Sequence, residues 1–165
     1  MLILASASKA RLELLKSVGI SPDKIISTDI NEKPKKDEKP LDYVLRIALE
    51  KNKAVKKNSS DIVLSADTIV SVGRRILLKP NNIDEASSFL SLLSGRRHRV
   101  HTSICIFYNH KFYQKNITTI LKMKRLSDEE KKSYLKSQEW RGKAGGYSIQ
   151  GAASYFFPFI SGSYS

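Results

Sequence analysis

The order of strand-like and helix-like stretches predicts a mixed α/β fold, and three observations carry that expectation. Ile62-Val63-Leu64 and Ile69-Val70 read as the two flanks of one buried strand rich in β-branched residues. Val100 to Tyr108 and Phe112 to Met123 read as two further long strands, joined at Asn109-His110. Around them lie runs with apolar residues at helical spacing, opened by capping residues and closed by glycine.

At the N-terminus, Leu2-Ile3-Leu4 predicts a short strand, and Ser8 an N-cap opening a helix through about Val18. Leu12, Leu15 and Val18 form its apolar stripe, and Gly19 ends it. Small hydroxyl residues followed by a helix start carrying Arg11 make a ready phosphate site. Residues 29 to 40, charged and bounded by Pro34 and Pro40, predict a loop in which Glu32 is one acid among several. Leu41 to about Lys56 then predicts a helix with Val44, Leu45, Ala48, Asn52 and Val55 on one face. Lys51 borders that face, whereas Arg46 and Glu50, one turn apart, are expected as an exposed pair.

Asp67 is the most informative residue. A carboxylate in the middle of an apolar strand is costly unless a cation or a reacting proton meets it. Gly73-Arg74-Arg75 predicts a hairpin turn that returns the chain along Ile76-Leu77-Leu78, which would carry Lys79 back towards Asp67.

Beyond it, Asn82 with Glu85 predicts a capping box and a helix to Leu93, with Ile83, Ala86, Phe89, Leu90 and Leu93 as its core face. Arg96-Arg97-His98-Arg99 is expected as a basic turn. His98 and His101, three apart in a strand, point to opposite faces and make a poor metal pair. Ser127 with Glu130 opens another helix to about Ser137. Four of the eight glycines fall between Gly142 and Gly151, a density that lets backbone approach a ligand closely. Tyr155-Phe156-Phe157 to Ile160 predicts a last strand entering the core. No Walker phosphate loop and no dinucleotide fingerprint is present.

The 165 residues predict one domain over 1–165, large enough for a core without staples. Cys105, the only cysteine, excludes an internal disulfide and a cysteine zinc cage, and is expected in the core. No apolar run reaches the ~20 residues that cross a bilayer. The apolar N-terminus meets Ser6 and Lys9 too soon for a signal peptide, so the expected location is the cytoplasm. Lysine supplies twenty of the 29 cations behind the net charge of +13, and the charges are spread along the chain. That pattern suits polyanionic small molecules better than nucleic acid, for which arginine is the more specific reader.

Several of these stretches together resemble the Maf family of septum-formation-inhibitor-like nucleotide pyrophosphatases. They are Leu4-Ala5-Ser6-Ala7-Ser8 with Arg11 and Glu13-Leu14-Leu15, Asp29-Ile30-Asn31-Glu32-Lys33-Pro34, and Tyr43-Val44-Leu45-Arg46-Ile47-Ala48 with Lys51. Ser65-Ala66-Asp67-Thr68-Ile69-Val70, Leu77-Leu78-Lys79-Pro80, the run from Ser94 to Thr102 and that from Glu139 to Gly151 follow in family order. The resemblance implies a sheet between helices, similar to the inosine-triphosphate pyrophosphatases, with a nucleotide-binding cleft. It implies hydrolysis of a nucleoside triphosphate to the monophosphate and pyrophosphate, with Mg²⁺ or Mn²⁺ as cofactor.

Matched residue by residue, it gives Asp67 the role of proton acceptor, and Glu32 and Asp67 that of metal ligands. Lys51 and Lys79 become catalytic and substrate-binding, and Ser8, Arg11 and Gln150 substrate-binding. Gly146-Tyr147-Ser148-Ile149-Gln150-Gly151 is similar to the branch acting on dTTP and UTP rather than on 7-methyl-GTP. Nucleotide-pool house-cleaning and a link to division arrest also come with the resemblance, and a homodimer is expected where a partner completes the shortened end. The rival expectation is a catalytically weakened member that binds nucleic acid or regulates septum formation.

The chain departs from the family pattern at Lys9-Ala10 (usually Pro-Arg), Leu78 and Ser103 (usually glycine). It also stops at Gly162-Ser163-Tyr164-Ser165, where relatives continue into a final helix. That ending is expected to bare Phe156, Phe157 and Ile160.

Overall fold

The computed structural model describes residues 1–165 and shows the expected mixed α/β fold. Its elements are β1 (Leu2–Ala5), α1 (Lys9–Ser17), β2 (Lys24–Ile25), α2 (Pro40–Ala54), β3 (Ile62–Val72) and β4 (Arg75–Leu77). Then follow α3 (Ile83–Leu93), β5 (Arg97–Tyr108), β6 (Lys111–Lys122), α4 (Asp128–Lys136) and β7 (Phe159–Ser161), with 3₁₀ turns at Ala144–Gly146 and Ala152–Phe156. The sheet order is β2-β1-β3-β5-β6-β7, with β4 on β3. It is mixed: β1 runs parallel to β2 and β3, while β3/β4 and β6/β7 are antiparallel. The chain divides into two compact units, one of residues 1–67, 102–116 and 165, the other of 68–101 and 117–164.

In the first unit the parallel register pairs Leu2 with Ile62 through Ala5 with Ser65. Helix α2 buries Tyr43, Val44, Ile47, Ala48, Lys51 and Asn52, an apolar stripe with two polar residues in it. Those polar residues tie the helix to the strands. Asn52 Nδ2 donates to the carbonyls of Val63 at 2.8 Å and Cys105 at 3.0 Å, and Ser65 Oγ donates to Ala48 O at 2.6 Å. Ile3, Ala5, Val55, Val63 and Phe107 form a small apolar cluster, and Cys105 is fully buried as expected.

Three expectations fail in this unit. Helix α1 buries no residue completely: Leu12 and Leu15 of its stripe are half-buried, and Val18 lies exposed. Ser8 sits at the N-cap position of α1, yet its hydroxyl makes no capping bond. Arg46 and Glu50 are not a simple exposed pair: Arg46 also forks onto Glu38.

The second unit holds the larger core, in which Val70, Leu77, Phe89, Leu90, Leu93, Leu121, Met123, Tyr134, Trp140 and Phe156 are all buried. The predicted hairpin forms, pairing Val72 with Arg75 across Gly73, whose φ of +56° suits a residue without Cβ. Asn82 caps α3, but Glu85 reaches Asn81 instead of closing the box, and Ile83 is exposed. The box at Ser127 and Glu130 is complete. The basic residues Arg97, His98 and Arg99 belong to β5 rather than to a turn.

The glycine-rich stretch approaches protein. A Cβ on Gly145 (φ +69°) would stand 2.7 Å from Val70, and one on Gly146 would meet Pro80 and Ala86. Gly145 N–H donates to Leu78 O at 3.1 Å, so the loop is held against the segment that carries Lys79. The tail is a 3₁₀ turn and a short exposed strand, not a core strand. Phe156 is fully buried with its ring edge on Tyr134, whereas Phe159 and Ile160 are exposed.

His98, only 2% exposed, lies with Nε2 2.7 Å from the Tyr147 hydroxyl. Burial pushes its pKa down to about 4, so the folded state keeps it neutral where an unfolded chain takes a proton. Stability is therefore fully present above pH ~6.5 and falls as the pH drops to about 4, by about 3 kcal/mol for this group. Urea unfolding midpoints of the wild type should fall over that window, and His98→Gln should remove most of the fall. Equal falls in both proteins would assign the step to other groups.

Candidate active site

Asp67 stands in the middle of β3 with 6% of its surface exposed, so a cation must meet it. That cation is Lys51, not the Lys79 the hairpin suggested. Lys51 Nζ lies 2.7 Å from Asp67 Oδ1 and 2.9 Å from Glu32 Oε1. The border position of Lys51 on the apolar face of α2 places its ammonium here, with 8% exposed. Two carboxylates from distant stretches thus converge on one nitrogen.

The field around them is uneven. Burial pushes the Asp67 carboxyl above the ordinary carboxylate range, and Lys51 and then Arg11 pull it back only in part. Burial lowers the Arg11 guanidinium, while Asp67 and Glu32 raise it. Arg11 Nη1 donates to Ser6 Oγ at 3.0 Å, and the same oxygen accepts Ser8 N–H at 3.2 Å. Ser6, overlooked in the sequence, is therefore the hydroxyl that organises the start of α1. The signal for it was its place at the end of β1 in a run of small residues.

Glu32 comes from the charged loop, 44% of its side chain exposed, and the loop is fixed from α2. Tyr43, fully buried, donates its hydroxyl to Glu32 O at 2.7 Å. Tyr43 and Arg46 are contributors that the sequence did not single out, because their partners lie in a loop without periodicity.

Lys79 and Gln150 belong to the second unit. Lys79 is exposed, two residues past β4, between Leu78, whose carbonyl accepts from Gly145, and the buried Pro80. Gln150 is exposed too, its Nε2 donating to Tyr164 O at 2.7 Å and its Oε1 accepting from Ser148 Oγ at 3.2 Å. The amide is thus engaged by the end of its own chain.

A buried carboxylate with a raised pKa can take a proton from water. Glu32 and Asp67 are hard oxygen donors of the kind Mg²⁺ and Mn²⁺ take, but their facing oxygens are already held by the Lys51 ammonium, so a divalent cation would have to use their remaining oxygens and waters. No cluster of three or more His, Cys, Asp or Glu is gathered anywhere in the chain, this site included.

The profile of the family described as Maf-like protein matches residues 1–165. A dTTP/UTP pyrophosphatase of Ruegeria sp. is 51% identical over 163 residues, covering 99% of this chain and 84% of its own length. That of Roseobacter denitrificans is 52% identical over 165 residues, covering 100% and 88%. Among solved structures, the nucleoside-triphosphatase / dITP/XTP pyrophosphatase of Mycobacterium abscessus aligns at 15% identity with a TM-score of 0.45, over 76% of this chain and 75% of that one.

Proposed function

The chain belongs to the Maf family, and from that premise we propose that it hydrolyses nucleoside triphosphates, dTTP and UTP first among them, to the monophosphate and pyrophosphate. The observation that carries the reading is the buried Asp67 meeting Lys51 and, through it, Glu32. Relatives 51% and 52% identical, named dTTP/UTP pyrophosphatases, supply the bond and the bases.

In this reading a water attacks the α-phosphorus and gives its proton to Asp67. The bond from the α-phosphorus to the bridging oxygen breaks, and pyrophosphate leaves. Ionised Asp67 is the reactive form, and Lys51 favours it against the penalty of burial. Glu32 and Asp67 would hold the divalent cation, which supplies charge stabilisation to the phosphates. Arg11, Lys51 and Lys79 would bind phosphate oxygens, with Ser8 and Gln150 as hydrogen-bonding partners of the substrate. Gln150 would have to exchange Tyr164 for that role.

A single functional domain over 1–165, a cytoplasmic role in clearing the nucleotide pool, a link to division arrest and a homodimer belong to the same proposal. Family membership supports the first three, and the homodimer rests on the expectation that a partner completes the chain. No helix is long and apolar enough to cross a membrane.

The test is pyrophosphate release from dTTP, UTP, CTP, GTP, ATP and 7-methyl-GTP with Mg²⁺, Mn²⁺ or EDTA. Release fastest from dTTP and UTP and abolished by EDTA is the expected result. A folded, monodisperse sample that releases nothing, or releases orthophosphate instead, would overturn the proposal.

A further inference from the structure

The charged loop before α2 is fastened to that helix at both ends. Tyr43, Arg46 and Glu50 fall at spacings of three and four residues along α2, with Lys51 following at once. Tyr43 takes the carbonyl of Glu32 itself. Arg46 meets Glu38 with two nitrogens, Nε on Oε1 at 2.6 Å and Nη2 on Oε2 at 2.7 Å, while Nη1 reaches Glu50 at 3.1 Å. Arg46 Nη2 also donates to Lys33 O at 3.3 Å, the residue after Glu32. Inside the loop, Glu38 Oε2 accepts Lys35 N–H at 2.9 Å and Glu38 N–H donates to Lys35 O at 3.2 Å, closing the turn.

We propose that Arg46 and Glu38 are positioning residues, a clamp that holds the loop so that Glu32 faces Lys51 and Asp67. The inference rests on the reading of Glu32 and Asp67 as the metal-holding pair. The loop has neither strand nor helix, and a single half-exposed ion pair to Lys51 contributes too little to order it. The bidentate fork supplies what is lacking, and its planar geometry is one that lysine cannot reproduce. Arg46 holds the Glu38 carboxyl down at about 2, so the clamp stays charged at neutral and mildly acidic pH. One helix thereby sets both the cation and the second carboxylate of the site.

The experiment compares the full-length wild type with Arg46→Ala, Arg46→Lys, Glu38→Gln and the double variant Arg46→Ala/Glu38→Gln. Amide exchange over residues 31–35, Mn²⁺ affinity from the spin-resonance signal of free Mn²⁺, and kcat and KM for dTTP are read on each. Arg46→Ala and Glu38→Gln should each speed exchange in the loop and weaken Mn²⁺ binding by about tenfold or more. They should lower kcat comparably, with KM at saturating metal changing little. The double variant should be no worse than either single one, and Arg46→Lys should recover little.

Wild-type loop exchange and Mn²⁺ affinity in Arg46→Ala would overturn the clamp, as would additive losses in the double variant. Glu38→Gln, the milder change, decides the matter if Arg46→Ala does not fold. Loosened loops in the variants of a wild type that releases no pyrophosphate would sustain the clamp and sink the activity. A wild type that turns over dTTP beside an unaffected Glu38→Gln would do the reverse.

Discussion

Asp67→Asn should lower kcat for pyrophosphate release by about 10³-fold while leaving the protein folded. The amide has the shape of the carboxylate and can still accept from Lys51, but it takes no proton and is a weaker ligand for a divalent cation. Its fold should not suffer. With the amide still accepting from Lys51, and Glu32 2.9 Å from the ammonium as its counter-ion, thermal unfolding of the variant is expected close to that of the wild type near neutral pH. The pH dependence sharpens the test. Wild-type activity should rise with pH as Asp67 ionises, and that limb should be missing from whatever activity remains in Asp67→Asn. A variant within tenfold of the wild-type rate would remove Asp67 from the role of base.

Lys51→Ala should be the more damaging change, striking activity and stability together. Its ammonium, 2.7 Å from Asp67 and 2.9 Å from Glu32, is the one cation in direct contact with both. Removing one partner of a buried pair leaves the other charged and uncompensated, at a cost of about 3 kcal/mol. Asp67 relieves part of that cost by taking a proton, which moves its folded pKa further up. The sign follows from linkage. With the folded pKa above the unfolded one, the folded state binds more protons, so the variant is most stable at low pH and loses stability as the pH rises through the new folded pKa. Urea denaturation from pH 5 to 8 should show a deficit that grows with pH, and Lys51→Ala/Asp67→Asn should recover much of it. A deficit independent of pH would mean that Lys51 acts through packing of its alkyl chain.

The elements of this fold divide along physical lines into those written locally in the chain and those that need a distant partner. Strands β3, β5 and β6, helices α2 and α4 and the Gly73 hairpin were legible because each is written in a short-range pattern: apolar alternation, a 3.6-residue stripe, a capping box, a glycine where φ turns positive. The failures are places where a local pattern needs a partner from elsewhere. The stripe of α1 is correct as a pattern and is only half covered, with Leu12 and Leu15 half-buried and Val18 exposed. Glu85 has the spacing of a capping box, yet Asn81 offers it both a backbone and a side-chain donor. Of the glycines of residues 142–151, Gly145 lies against Val70, Gly146 against Pro80 and Ala86, and Gly151 against Glu139, contacts that no local pattern names.

The site divides in the same way. By itself the sequence determined that Asp67 is too costly to bury alone, that Lys51 sits at the edge of an apolar face, and that a charged loop carries Glu32. These follow from solvation and helical spacing, which act within a few residues. Only the tertiary structure decided that Lys51, sixteen residues before Asp67, answers it, that Glu32 shares the same ammonium, and that Tyr43 and Arg46 hold Glu32's loop in place. The reason is that a charge requires a counter-charge within about 4 Å in space, and one-dimensional order leaves open which of 29 cations will stand there.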